Sequence, residues 1–186
     1  MKKTKCVVII VAVFLLWLSF TYYQSYRRSL GAVVRTATQD YSAFANDTIV
    51  PRADWRGGYY VFTNNDCYYA ITWGDSLRVL CMFPESARLS FEKNKEEKYT
   101  AIKEIMTFFY GHNRKDIKIA NMDVNNMGMA RLSFHSNFHT TVVYTNWADS
   151  LVNQVPPECR KYDDKTYYRI KGLFDYVYAY CVALVK

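Results

Sequence analysis

A chain of 186 residues, once a membrane segment and a short stalk are set aside, leaves about 140, the usual size of one domain with one core. Its composition, 51% hydrophobic and 22% charged with 17 Tyr and 11 Phe, excludes a disordered protein. The net charge of +7 does not describe a nucleic-acid binder: Lys2, Lys3, Lys5, Arg27, Arg28 and Arg35 precede the first acid, and the other 18 cations face 17 acids. The folded part is left at +1, without the basic patch that phosphate neutralisation needs.

From Cys6 to Tyr23 no residue is charged. Those 18 residues span about 27 Å as a helix, just enough for the hydrocarbon core of a bilayer. A cleaved leader and a retained anchor both fit that length. The exit of the run favours the anchor, because Phe20, Tyr22, Tyr23 and Tyr26 stand where signal peptidase needs small residues. Trp17, Tyr22, Tyr23 and Tyr26 instead suit an interfacial aromatic belt, with Arg27 and Arg28 just beyond it. Lys2, Lys3 and Lys5 form the n-region of a signal anchor, which keeps the N-terminus inside and places the domain on the extracytoplasmic, periplasmic or cell-surface side. The expected organisation is a single-pass anchor over 1–26, a juxtamembrane stalk over 27–50 and a domain over 51–186.

In the stalk, Leu30, Val33, Val34, Ala37, Tyr41 and Phe44 recur at helical spacing, and "NDTIVP" from Asn46 to Pro51 ends the pattern. Such a stripe serves either to bind a partner or to fold back on the domain. Asn46, Asp47 and Thr48 also match the N-glycosylation pattern, a match that arises easily by chance.

Residues 57–84 read as a three-stranded meander. With Asn64-Asn65-Asp66 and Gly74-Asp75-Ser76 as three-residue loops, one face collects Tyr59, Val61, Cys67, Tyr69, Ile71, Trp73, Leu77, Val79, Cys81 and Phe83. That register makes Cys67 and Cys81 diagonal neighbours and a possible disulfide. The other face, with Tyr60, Phe62, Tyr68, Ala70, Leu80 and Met82, also needs a cover. The next segment supplies one. Asn94 and Glu97 make a capping-box pair, Tyr99, Ile102, Ile105, Met106 and Phe109 form one helical stripe, and Gly111 closes the helix.

Further strands are expected over 117–124, 129–135, 140–145, 166–171 and 174–185, with a long loop over 147–165. No internal repeat of fixed period is visible. The fold class is α+β: an N-terminal membrane helix and short helical stalk, then one curved antiparallel sheet packed on a single long helix.

Chemistry-bearing patterns are sparse. G-x-S-x-G, H-E-x-x-H, P-loop and G-x-G-x-x-G motifs do not occur, and the cysteines lack C-x-x-C spacing. His135 and His139 have a ligand-like spacing, but "SNF" between them reads as a turn with no third ligand nearby, so no metal or cofactor is expected. His112 sits where an imidazole meets the last carbonyls of a helix. A hydrolase would need His135 or His139 within hydrogen-bond reach of an acid or nucleophile. Tyrosine is the outstanding feature: Tyr168, Tyr176, Tyr178 and Tyr180 form either an aromatic binding platform or part of the core. The sequence thus points to the lipid bilayer as a partner through 6–23 and to a non-catalytic, accessory, scaffold or immunity-like domain with a protein partner. A small-ligand or sensory domain with a closed cavity is the alternative.

Overall fold

The computed structural model describes residues 2–52, 57–73, 76–114, 117–147, 149–173 and 175. The expected strand over 174–185, with Tyr176, Tyr178, Tyr180 and Cys181, therefore lies outside the described residues apart from Asp175.

The fold is α+β, with three α-helices on one face of a nine-stranded antiparallel sheet. Helix α1 runs unbroken over Lys2–Ala37. From Val7 to Trp17 it is exposed throughout, and it is long and apolar enough to cross a membrane or to serve as a signal sequence. Its second half belongs to the domain. Ser25, Ser29, Ala32, Val33 and Thr36 are buried against the sheet, so residues 27–37, expected in a separate stalk, pack inside the fold. Of the predicted stripe, Val33 and Tyr41 are fully buried and Phe44 packs against the core, whereas Val34 is exposed and Leu30 half-buried. Small residues at spacings of three and four form the true contact face, since they let a helix backbone approach a pleated surface closely. Residues 42–44 then form a 3-10 turn, and "DTIVP", expected to end the stalk, is strand β1 (Asp47–Pro51) at the centre of the sheet.

Strands β2 (Tyr59–Thr63), β3 (Asp66–Trp73) and β4 (Ser76–Phe83) follow as a meander. Asn64 and Asn65 both adopt left-handed backbone angles, φ 48° and 70°, which makes the first hairpin a two-residue turn rather than the expected three. The register moves by one residue: Tyr59 pairs with Ala70 and Val61 with Tyr68. A one-residue slip exchanges the faces of a strand. Tyr68, Ala70 and Thr72, not Cys67, Tyr69 and Ile71, consequently join Val61 and Val79 on the inner face. A bulge beside Cys67 pairs it with Phe83 while Tyr68 pairs with Cys81, which turns the two cysteines to opposite faces. Cys67, Cys81 and Cys159 are free thiols, and the disulfide expected between Cys67 and Cys81 is not formed.

Helix α2 (Glu85–Lys93), which the sequence pattern did not single out, runs through Asn94 into α3 (Lys95–Gly111). The side chain of Asn94 makes no cap bond, because the chain arrives there already helical. The α3 stripe is as expected: Ile102, Ile105, Met106 and Phe109 are buried, with Tyr99 packed alongside. Gly111 remains helical, and it is followed by β5 (Ile117–Val124), β6 (Ala130–Ser136) and β7 (His139–Thr145). A 3-10 turn at Asp149–Gln154 and the two-residue strand β8 (Arg160–Lys161) fill the long loop, and β9 (Tyr167–Gly172) pairs with both β7 and β8.

The strand order is β4-β3-β2-β1-β5-β6-β7-β9-β8. It has a hidden regularity. Helix α1 precedes the meander β1 to β4, α3 precedes β5, β6, β7 and β9, and the halves meet at the antiparallel pair β1 and β5. Two helix-plus-four-strand units are thus arranged about a pseudo-twofold axis, although no repeat is visible in the residues. The single helix expected under the sheet, α3, is therefore joined there by the inner half of α1 and by α2, which buries Ala87 and Phe91. Between them and the sheet lies one core, with Ala32, Val33, Ile102, Met106 and Phe109 from the helices against Ile49, Val61, Tyr68, Met122, Leu132, Phe134 and Val143.

Phe109 is fully buried and also stacks edge-on against Tyr59 and Tyr110. Phe109→Ala should destabilise the domain by about 3–5 kcal/mol, measured as a shift of the denaturant midpoint of the detergent-solubilised chain.

Candidate functional site

The densest polar constellation among the described residues lies where α1 leaves its exposed half and meets the sheet. Tyr22, Ser25 and Tyr26 share one face of α1, at spacings of three and four. Opposite them, β7 begins at His139 and β9 ends at Gly172, which are register partners. Tyr22 stacks at 4.4 Å and Tyr26 at 5.7 Å from the His139 ring, and Phe138 adds a third contact to Tyr22. Gly172 is required by this packing, since a Cβ there would overlap the Tyr22 hydroxyl.

Ser25 Oγ lies 2.9 Å from His139 Nδ1 and 2.8 Å from Ser136 Oγ, and Ser136 Oγ lies 3.2 Å from the His139 carbonyl. The ring closes in either of two directions: Ser25 accepts from His139 Nδ1 and donates to Ser136, or Ser136 donates to Ser25, which donates to His139 Nδ1. A serine nucleophile needs the second, an imidazole nitrogen that accepts the hydroxyl proton. Ser25 is 2% exposed and does not line the adjoining cavity. The nucleophile–base proximity that a hydrolase demands is met in distance and fails in access. This is a clasp that fastens helix to sheet.

His135 is not part of it. It stands exposed on the outer face of β6, bonded to Thr140 Oγ1 at 3.3 Å, while His139 faces inward. The two are not brought together as ligands, and no group of three metal-binding side chains occurs among the described residues.

Beside the clasp opens a cavity of about 340 Å³ lined by Tyr22, Tyr26, Tyr168, Arg160, Arg169 and Asp175, with Glu158, His139, Ile170 and Gly172. Of the predicted aromatic platform, Tyr168 is found here, half-buried and packed against the core. Its charges are largely answered from within: Arg169 is paired with Glu158, and Asp175 accepts the Gly172 N–H at 2.6 Å. A smaller cavity at the C-terminal ends of α1 and α3 gathers Arg35, Arg114 and His112. Arg114 donates to the Gly111 and Asn113 carbonyls, the ordinary use of a cation at a helix end. His112 does what its position suggested. Its Nδ1 donates to the Phe108 carbonyl at 3.1 Å, which leaves Nε2 to accept from the Tyr41 hydroxyl at 3.0 Å.

The surface the sequence reading underrated is on the opposite edge. Among the described residues strand β4 ends the sheet, eight residues long, with Leu80, Met82 and Phe83 exposed by 59%, 44% and 51%. Behind it on the outer face, Tyr60, Phe62 and Tyr69 form a chain of ring contacts that reaches Phe83, with Arg52 lying 4.5 Å over Tyr69. The sequence pattern puts Leu80 and Met82 on the face that the following helix covers, whereas both are exposed; that β4 is an edge could not be read from one chain.

No family model, curated protein or solved structure matches this chain.

Burial lowers the pKa of both His112 and His139; at His112 the bond to the Phe108 carbonyl partly offsets it while Arg35 and Arg114 lower it further, and at His139 Asp175 partly offsets it. Each imidazole is thus easier to protonate in the unfolded chain. The stability they contribute is complete above the ordinary histidine value near 6.5 and is lost as pH falls below it. The melting temperature should drop between pH 7 and pH 5, with a smaller drop in His139→Gln. Gly172→Ala should cost about 1–3 kcal/mol by displacing Tyr22, and Tyr22→Phe in the same chain should recover part of the loss in a thermal melt.

Proposed function

We propose that this chain is a single-pass, membrane-anchored, extracytoplasmic interaction domain without catalytic activity, acting as an accessory, scaffold or immunity-like protein. The observation that carries the interaction reading is β4. An eight-residue edge strand with three large apolar side chains exposed presents unpaired backbone groups beside a hydrophobic strip. A protein partner that contributes an extended segment would satisfy both at once, main chain to main chain, with apolar side chains over Leu80 and Phe83.

Retention of the anchor is supported by the packing of its exit. Tyr22, Ser25 and Tyr26 are integral to the clasp, so cleavage after the apolar run would remove or sever groups that the domain uses. The non-catalytic reading is supported by the burial of Ser25 away from the cavity. A second reading, small-ligand binding, is favoured by the cavity beside Tyr168 and Arg160, although the pairing of Arg169 with Glu158 weakens its claim on an ionic ligand.

Crosslinking in intact membranes tests the first reading. Leu80→Lys with Phe83→Lys should leave the melting temperature within about 2 °C, as surface changes do, while reducing recovery of the crosslinked partner at least tenfold. Unchanged recovery would reject β4 as the interface. A reporter at Lys186 active in the cytosol alone would reject the proposed side.

A further inference from the structure

The end of the sheet nearest the anchor has a character of its own. Phe138, in the turn between β6 and β7, and Leu173, just past β9, are tied together by a 2.8 Å bond from the Leu173 N–H to the Phe138 carbonyl. Leu173 is 50% exposed, and Phe138 packs against Tyr22, the penultimate residue of the uncharged run. Leu18, one helical turn deeper in the run, is already half-buried, whereas Leu15, Leu16, Trp17 and Phe20 around it are exposed. The domain therefore reaches down to the level at which α1 becomes wholly apolar.

Directly above this tip, on the outer face, Lys118, His135, Thr140 and Lys171 are register partners across β5, β6, β7 and β9. Two lysines and a histidine thus form one row. Lys171 stands two residues before Leu173, which lies just past the end of β9 at Gly172, so the two are at most about 7 Å apart along the chain. The headgroup layer of one leaflet is of similar depth, about 5–7 Å. Asp175, the described acid beside the tip, is turned onto the Gly172 N–H.

We infer that Phe138 and Leu173 form a second membrane contact, seated at the acyl boundary of the leaflet that α1 leaves, with Lys118 and Lys171 on the phosphates of anionic phospholipids above them. The occupant is the bilayer itself, because the tip is continuous with the anchor helix and its apolar and cationic levels are spaced as the lipid levels are. The contact would fix the tilt of the domain as well as its tether. This inference rests on the membrane reading of α1, and the test separates the two.

The full chain is reconstituted into vesicles of zwitterionic phospholipid with and without 30% anionic phospholipid. Photo-leucine, close in shape to the residue it replaces, is placed singly at Leu173, at Leu80 on the far edge, or at Leu16 in the apolar run, and lipid adducts are counted by mass spectrometry. Strong labelling at Leu16 and Leu173 is expected, with at least fivefold less at Leu80. In anionic vesicles, Lys118→Glu with Lys171→Glu should cut the Leu173 yield by half or more. Labelling at Leu16 with Leu173 no higher than Leu80 would overturn the second contact and leave the anchor standing. Failure at Leu16 would overturn the anchor, and the inference with it. Indifference of the Leu173 yield to the lysine substitutions would remove the phosphate contacts.

Discussion

Everything in this protein depends on α1 belonging to two environments at once. One side of its inner half, Ser25, Ser29, Ala32, Val33 and Thr36, is buried in the domain, and the outer half is apolar on every side. No flexible linker separates the two. A helix is stiff over such lengths unless proline, a glycine pair or a bulge interrupts it, and Gly31 alone does not. Small side chains on the buried side make the arrangement possible by letting the helix settle onto β6 and β7. The serines carry a cost in return: Ser25 is satisfied by His139 and Ser136, while Ser29 Oγ is buried without a partner among the described residues.

Much of the architecture was legible where one physical signal dominated. The stripe of α3, the turns around the meander and β5 to β7 all follow from periodicity and turn residues, since each element buries one face of a pattern that repeats locally. Two failures are instructive. Asn64 and Asn65 tolerate left-handed angles that compress the hairpin to two residues, and a choice of one residue in loop length reverses the inward side of β3. Seeking an apolar stripe in the stalk missed a contact face built from Ser, Ala and Thr, because close approach and not hydrophobicity selects it. The pseudo-twofold arrangement was invisible for a different reason. It is a property of strand order, and strand order follows from long-range pairing rather than from local pattern.

The candidate site illustrates how proximity misleads. Ser25, His139 and Asp175 have the composition of a hydrolytic triad, yet Ser25 is buried away from the cavity that a substrate would enter. His139 was noticed from sequence as a poor metal ligand and as a group that a hydrolase would need. Its partner Ser25 lies 114 positions away in the chain, and no spacing rule joins an anchor helix to the start of β7. Tyr168 was noticed for its company of tyrosines, and it proves to be split between core and cavity, as an amphipathic ring at a helix–sheet junction often is.

Sheet order also sets a length that matters to any partner. Six inter-strand steps separate β4 from β7, over which α1 crosses, and at about 4.8 Å each they carry the open edge roughly 30 Å sideways. The edge strand is thus an outrigger on a stiff mast. Under the membrane-anchored reading proposed above, a load applied there would exert leverage on the axis of α1, and engagement at the rim would be mechanically coupled to the inclination of the helix.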